Sequence, residues 1–259
     1  AYNNWGLEAG DNSYRYTGAN PNNYVCFGST ASTCPSANLY RIIGVFGDQV
    51  KLIHATYATT AELGTAAHDV NNYFYWSGSS SNESNIWSSS TLNTSSLNGT
   101  FLINLGTTWT NKIVTTTWNI GGGSSILQRS NAKTAYDYEV GANKSSTTYN
   151  AKIGLPYLNE YYYAATPTYW TSPGASDNNE DDYRKSIENN WMYLNNDYFW
   201  IISPCTSFSI SLFGVSIGGY VVSTNVYNVS RVRPTFNLVS SVKTSGGSGT
   251  QSDPYRIEL

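Results

Sequence analysis

Between Trp200 and Pro234 the chain reads WIISPCTSFSISLFGVSIGGYVVSTNVYNVSRVRP, a run of alternating residues with a strand-like period. Successive strand side chains point to opposite faces, so Val215, Gly219, Val221 and Val226 mark an inward set. Gly214, Ser216, Tyr220, Val222 and Thr224 face the other way, with Phe208 and Ile210 just upstream. A solvated face of ordinary kind would carry Lys, Glu and Gln, yet residues 205–231 hold no Lys, Glu, Gln, Met or Trp. Those five types make up 27 of the 259 residues, so roughly three are expected in that segment. They are also the types that codons ending in a pyrimidine cannot encode. The segment therefore reads as a buried framework interleaved with positions chosen for variety.

The chain is long enough for one large domain or two small ones with ample core. Charged residues are only 12% and net charge is -3, which argues against a nucleic-acid partner, since that would need clustered Lys and Arg. Tyr is abundant at 22 residues, and Tyr with Ser, Gly and Asn is the palette of a binding surface. A secreted β-rich protein that uses Tyr, Thr and Val for strand propensity alone would look similar. No run approaches the roughly 20 apolar residues of a membrane span. No signal peptide opens the chain, which fits a mature or truncated form. The texture points outside the cell, to the cell surface, where the short loop between Cys26 and Cys34 can close into a bridge. Cys205 is left over. Sequons stand at Asn82, Asn93, Asn98, Asn143 and Asn228.

Along the chain, residues 1–37 read as an irregular lead-in tied down by the Cys26–Cys34 loop. Asn38–Ile53 reads as a hairpin, two β-branched runs around Gly47-Asp48. Loops follow, then a short helix near Leu92–Leu105. Trp109–Ile120 is left open between helix and strand. Lys152–Ala164 reads as a strand followed by a turn or a further apolar strand. Asp181–Leu194 is the best helix, acidic at its start and striped by Ile187, Trp191 and Leu194. Strands are expected at 198–203, 212–217, 219–226 and 232–238, with a last strand at the C-terminus. Trp170, Trp191, Trp200, Tyr198 and Phe199 read as core.

Little catalytic chemistry is visible. His54 and His68 lack triad or zinc spacing, and a structural or exposed place suits them better. No glycine-rich phosphate loop stands between a strand and a helix. The acidic run at Asp177–Asp182 offers oxygen ligands for calcium at Asp177, Asp181 and Asp182, but it lacks the glycine and terminal glutamate of an EF-hand. The solvated start of a helix explains it better, so no cofactor is expected.

The pattern FWIISP…F-x-V…G-x-V…V…VRP-x-F-x-L, with WMYL upstream, resembles bacterial surface proteins of C-type lectin fold. These include the formylglycine-generating-enzyme-like branch and the variable proteins diversified by retroelements. The resemblance implies an α+β fold of mixed antiparallel strands with a few helices and long loops, spanning residues 38–259. It implies a framework at Trp200, Ser203, Pro204, Phe213, Val215, Gly219, Val221, Val226, Val232, Arg233 and Pro234. Displayed ligand-binding positions would be Cys205, Phe208, Ile210, Ser211, Gly214, Ser216, Tyr220, Val222, Ser223, Thr224, Asn225, Tyr227, Asn228 and Ser230. Two residues depart from the pattern: Arg231 stands where a glycine is common, and Leu212 replaces a smaller residue. The first half is similar to surface or pilus-associated proteins of Gram-positive bacteria.

The expected function is non-enzymatic: an adhesin or receptor-binding module whose partner is a protein or glycan on another cell or phage. Two rivals are a structural subunit of a surface fibre and a glycan-active enzyme on the same scaffold. The enzyme would need converging carboxylates in a pocket.

Overall fold

The structure is a computed structural model that describes the backbone of residues 2–3 and residues 13–171, 180–194 and 197–259, with side chains of the 180–194 segment from residue 184 onward. The chain opens with three short strands, β1 (Tyr2–Asn3), β2 (Tyr14–Arg15) and β3 (Tyr24–Cys26), and then the expected hairpin, β4 (Leu39–Phe46) and β5 (Gln49–His54). Phe46 pairs with Gln49 across a two-residue turn. Gly47 takes φ +61° there, a value glycine adopts without strain. The middle of the chain is a series of short elements: α1 (Thr60–Leu63), β6 (Phe74–Tyr75), a helical run Leu92–Phe101 continuing as α2 (Leu102–Leu105), α3 (Thr107–Thr110), β7 (Thr116–Asn119), α4 (Ala132–Glu139), β8 (Thr148–Ala151) and α5 (Leu158–Tyr163). After α6 (Glu180–Glu188) come β9 (Phe199–Pro204), β10 (Ser211–Val215), β11 (Val221–Asn225), β12 (Val229–Ser230), β13 (Thr235–Leu238), β14 (Thr244–Gly246) and β15 (Tyr255–Ile257).

The result is an α+β architecture with mostly antiparallel sheets. An eight-stranded sheet is built on β4, which pairs with β2, β3 and β5, while β13 adds to β5 and β15 to β3. A second sheet of three strands runs in the order β11-β10-β9. The segment before residue 38 is thus woven into the main sheet through β2 and β3 rather than lying irregularly beside it. Cys26 and Cys34 form a disulfide, and Arg256 on β15 donates to the carbonyls of Ala31 and Ser32 inside that loop.

The central strands of both sheets are covered on both faces. Leu52 and Ile53 are adjacent on β5, are both 0% exposed, and enter two different apolar clusters. The same split recurs on β9, where Trp200 and Ile202 join one cluster and Phe199 and Ile201 the other. On β10, Leu212 goes one way and Phe213 the other. Strands buried on both faces read as continuous apolar runs, which is what FWII is. The first cluster is rich in aromatics, with Trp76 and Trp87 ring centroids 4.9 Å apart and Trp200 6.2 Å from Trp76. Removing a buried Trp of this kind typically costs about 3–5 kcal/mol.

Several expectations are corrected. Leu158–Tyr163 is a helix, not a turn or a further strand, although three consecutive tyrosines favour extended chain. Its start is held by two carboxylates: Glu160 accepts from the Tyr157 amide at 2.9 Å, and Glu139 from the amides of Leu158 and Asn159 at 2.8 and 2.7 Å. Helix α6 stops at Glu188, so Trp191 and Leu194 lie beyond it. There the Asn190 side chain bonds the Met192 amide and the Tyr161 carbonyl. Trp191 still ends buried, donating from Nε1 to the Tyr16 carbonyl. Trp109–Ile120 holds both elements, α3 and then β7. Trp170, Trp200 and Phe199 are core as expected, whereas Tyr198 is 44% exposed. His54 is buried and His68 belongs to a bridge with Phe74. Of the sequons, Asn93 is 0% exposed and donates to the Trp87 carbonyl, which removes it as a glycan acceptor.

Candidate functional site

Every framework residue of the C-terminal segment is buried: Trp200, Ser203, Pro204, Phe213, Val215, Gly219, Val221, Val226, Val232, Arg233 and Pro234. Arg233 shows how tightly this frame is tied. Its guanidinium donates to the carbonyls of His54 at 3.1 Å and Met192 at 2.7 Å, 0% exposed. Burial lowers its pKa to about 9, and it remains a cation at neutral pH.

The positions read as displayed divide. Phe208 and Asn228 are exposed, and Ile210, Tyr220, Val222, Ser223, Thr224, Asn225 and Tyr227 are half-buried. Cys205, Ser211, Gly214, Ser216 and Ser230 are buried in the scaffold rather than displayed. The reason is two-sided coverage. Alternation sorts residues into core and solvent only where one face of a sheet is wet, and β10 has no wet face. Cys205 packs in the second apolar cluster. The Ser216 hydroxyl accepts from the Tyr220 amide at 3.1 Å and closes the β10–β11 turn. A side chain at Gly214 would meet the Phe199 carbonyl oxygen at 3.1 Å. Ser230 pairs with Phe74 in a small separate sheet. By contrast β11 is the outer strand of its sheet, and both its faces keep partial exposure.

The loop from Cys205 to Ile210 is clamped from two sides. On one, the Thr206 amide donates to the Gly123 carbonyl at 2.8 Å, and the Ser125 amide to the Ser207 hydroxyl at 3.1 Å. On the other, the Asn85 amide donates to the Ser209 carbonyl at 2.9 Å. Its side-chain nitrogen donates to the carbonyls of Phe208 at 3.1 Å and Ser211 at 2.9 Å. Phe208 projects from this fixed loop with 61% of its surface exposed. It borders a groove of about 420 Å³ that also touches Ile86, Ile120, Thr148 and Pro204, and Ile86 is itself 53% exposed. Large apolar side chains in water beside a rigid backbone are the usual anchors of recognition surfaces.

Beyond β11 the polar positions are organised among themselves. The Asn225 side-chain nitrogen donates to the Tyr227 hydroxyl at 2.6 Å, and that of Asn228 to the Thr224 hydroxyl at 2.9 Å. Arg231, which departs from the expected pattern, is a fixture that expectation did not include. It pairs with Asp197 at 2.7 Å and lies 3.9 Å from the centroid of the Tyr73 ring, while the Tyr73 hydroxyl donates to the same carboxylate at 2.6 Å. Its odd occurrence at that place was the only signal available.

A second concave region lies under the main sheet, about 240 Å³ in volume. Lys51 and Glu160 face each other there as a buried ion pair, with the Lys51 nitrogen 4.7 Å from the Trp118 ring centroid and 4.5 Å from that of Tyr157. Burial lowers the Lys51 pKa, and Glu160 pulls it back up. The neighbouring Glu139 is buried and its carboxyl is pushed up by desolvation, against the four donors it accepts from: the Leu158 and Asn159 amides, the Asn159 side chain and the Ser203 hydroxyl. Glu139 is committed to starting α5 and does not line the cavity. Two carboxylates converging on one opening, as glycoside hydrolysis needs, are not the arrangement here.

Among the described residues no group of three or more His, Cys, Asp or Glu converges on a metal-sized site. The calcium proposal falls on Asp177, which is outside the described residues, and on Asp181 and Asp182, whose side chains are likewise outside them. No described helix is long and apolar enough to cross a membrane. No protein-family model, curated protein or solved structure matches the chain.

Proposed function

We propose that this chain is a non-enzymatic binding module of the cell surface, built on a C-type lectin-like scaffold, that captures a protein or glycan through the rim of its C-terminal sheet. The observation that carries the reading is the loop at Phe208. An aromatic side chain is held 61% exposed by a backbone hydrogen-bonded on both flanks, above strands whose framework is wholly buried. Holding an apolar group in water on an immobile loop costs solvation and serves no packing purpose. It does lower the entropy lost when a partner covers it. Around it, Tyr220, Val222, Ser223, Thr224, Asn225, Tyr227 and Asn228 supply aromatic area and adaptable hydrogen bonding. Cys205, Ser211, Gly214, Ser216 and Ser230 drop out of the ligand-contacting set and belong to the scaffold.

The test is binding of the purified chain to arrayed glycans and extracellular proteins, beside a Phe208→Asp, Tyr227→Asp double variant. Captured partners should be lost by the variant at unchanged melting temperature. Partners retained by the variant would overturn the reading. Diversification by a retroelement is tested separately, by looking for a near-copy of the coding segment for residues 200–234 that differs at adenines and lies beside a reverse transcriptase gene.

A further inference from the structure

The cavity beneath the main sheet is separate from the Phe208 rim, and the proposed capture function makes no use of it. We propose that it binds one neutral sugar ring. At about 240 Å³ it is smaller than the pockets of roughly 300–1,000 Å³ that take drug-sized ligands, so a single ring is the natural occupant. Its chemistry is that of a polyol site. Gln49, Asn119 and Asn237 bring carboxamides to the lining. A carboxamide donates from nitrogen and accepts at oxygen, which matches hydroxyl groups that do both. The walls beside them are the aromatic side chains of Trp118 and Tyr157.

The charged groups of the lining are already engaged. Lys51 and Glu160 satisfy one another, 6% and 4% exposed, and the rings of Trp118 and Tyr157 take up the remaining side of the ammonium. Arg15 lines the cavity too, 2% exposed, with its guanidinium 4.6 Å from the Phe46 ring centroid and 4.7 Å from that of Tyr163. An ion entering would have to separate a desolvated pair, which is costly. The lining is also rigid, because Gln49 and Lys51 stand on β5, Asn237 on the paired β13, and Trp118 and Asn119 on β7. An amide-lined cavity on strands adds nothing to stability that an apolar filling would not supply better. It suits a preorganised site. Thr117, exposed on β7, forms part of the rim.

The experiment is a titration of the ¹⁵N-labelled full chain with glucose, galactose, mannose, N-acetylglucosamine and glucuronate, reading the side-chain amide signals of Gln49, Asn119 and Asn237. Saturable shifts with at least one neutral sugar are expected. Thr117→Trp, a rim substitution away from the ion pair, should weaken that binding about tenfold with the remaining spectrum intact. No neutral sugar shifting those amides, or shifts unaffected by Thr117→Trp, would overturn the proposal. So would a tenfold preference for glucuronate over glucose. Shifts confined to residues 205–210 would also overturn it, while favouring the rim as the sugar site.

Discussion

Asn85 holds Phe208 from 123 residues away, its side-chain nitrogen donating to the Phe208 carbonyl at 3.1 Å while its amide and that same nitrogen engage Ser209 and Ser211. One asparagine thus supplies donors to three carbonyls, those of Phe208 and Ser209 in the loop and that of Ser211 at the start of β10. Asn85→Ala deletes the side-chain donors at a cost of about 1–3 kcal/mol, concentrated locally. Hydrogen exchange at the Thr206, Phe208 and Ser211 amides should quicken, while the β4–β5 amides keep their protection. Uniform quickening across the chain would mean that Asn85 supports the whole fold instead.

Phe208 and Ile210 are two residues apart and should respond oppositely to charge. Phe208→Asp touches an exposed side chain and should shift stability by no more than about 0.5 kcal/mol. Ile210 rests against the first apolar cluster, so Ile210→Asp should cost at least about 2 kcal/mol. Urea denaturation of the two variants checks the contrast. Equal losses would place Phe208 in the packing.

Burial raises the Glu139 carboxyl above its ordinary value of 4.5, so the native chain keeps that proton to higher pH than the unfolded chain does. Its contribution to stability is therefore complete below pH 4.5 and declines as pH climbs toward the raised value. Glu139→Gln removes this dependence. The margin by which the parent exceeds the variant in urea titrations should shrink from pH 4.5 to pH 7. A margin that widens with pH would show that the four donors outweigh desolvation.

The bridge between Cys26 and Cys34 closes a loop of sequence separation 8, for which chain entropy alone gives about 2.5 kcal/mol. Cys26→Ser with Cys34→Ser should lower unfolding free energy by that order. The Arg256 contacts to Ala31 and Ser32 should loosen at the same time, read as faster exchange on β15. Cys205, 0% exposed, should resist thiol reagents until the chain unfolds. Rapid native labelling would contradict its position in the second cluster.

Local chemistry carried much of the fold. The β4–β5 hairpin follows from Gly47-Asp48 between β-branched runs, the disulfide from a short loop, and the inward places of Val215, Gly219, Val221 and Val226 from their alternation. Three things were invisible along the chain. The helix at Leu158–Tyr163 depends on Glu139, a carboxylate nearly twenty residues earlier, overriding what three tyrosines prefer. The burial of Ser211, Gly214 and Ser216 depends on a second layer that covers the far side of β10. The clamp on Phe208 depends on Asn85, which sits in a Ser/Asn-rich stretch that reads as featureless. Each is a long-range contact, and periodicity reports only on neighbours.

The coverage of β9 and β10 on both sides has a consequence for how far such a chain can diverge. Residues locked between two layers cannot be exchanged without leaving a void or a clash, whereas the turn around Phe208, the outermost strand and the bend that follows it keep exposed or half-buried side chains. Tolerance to substitution along residues 200–234 is therefore set by packing.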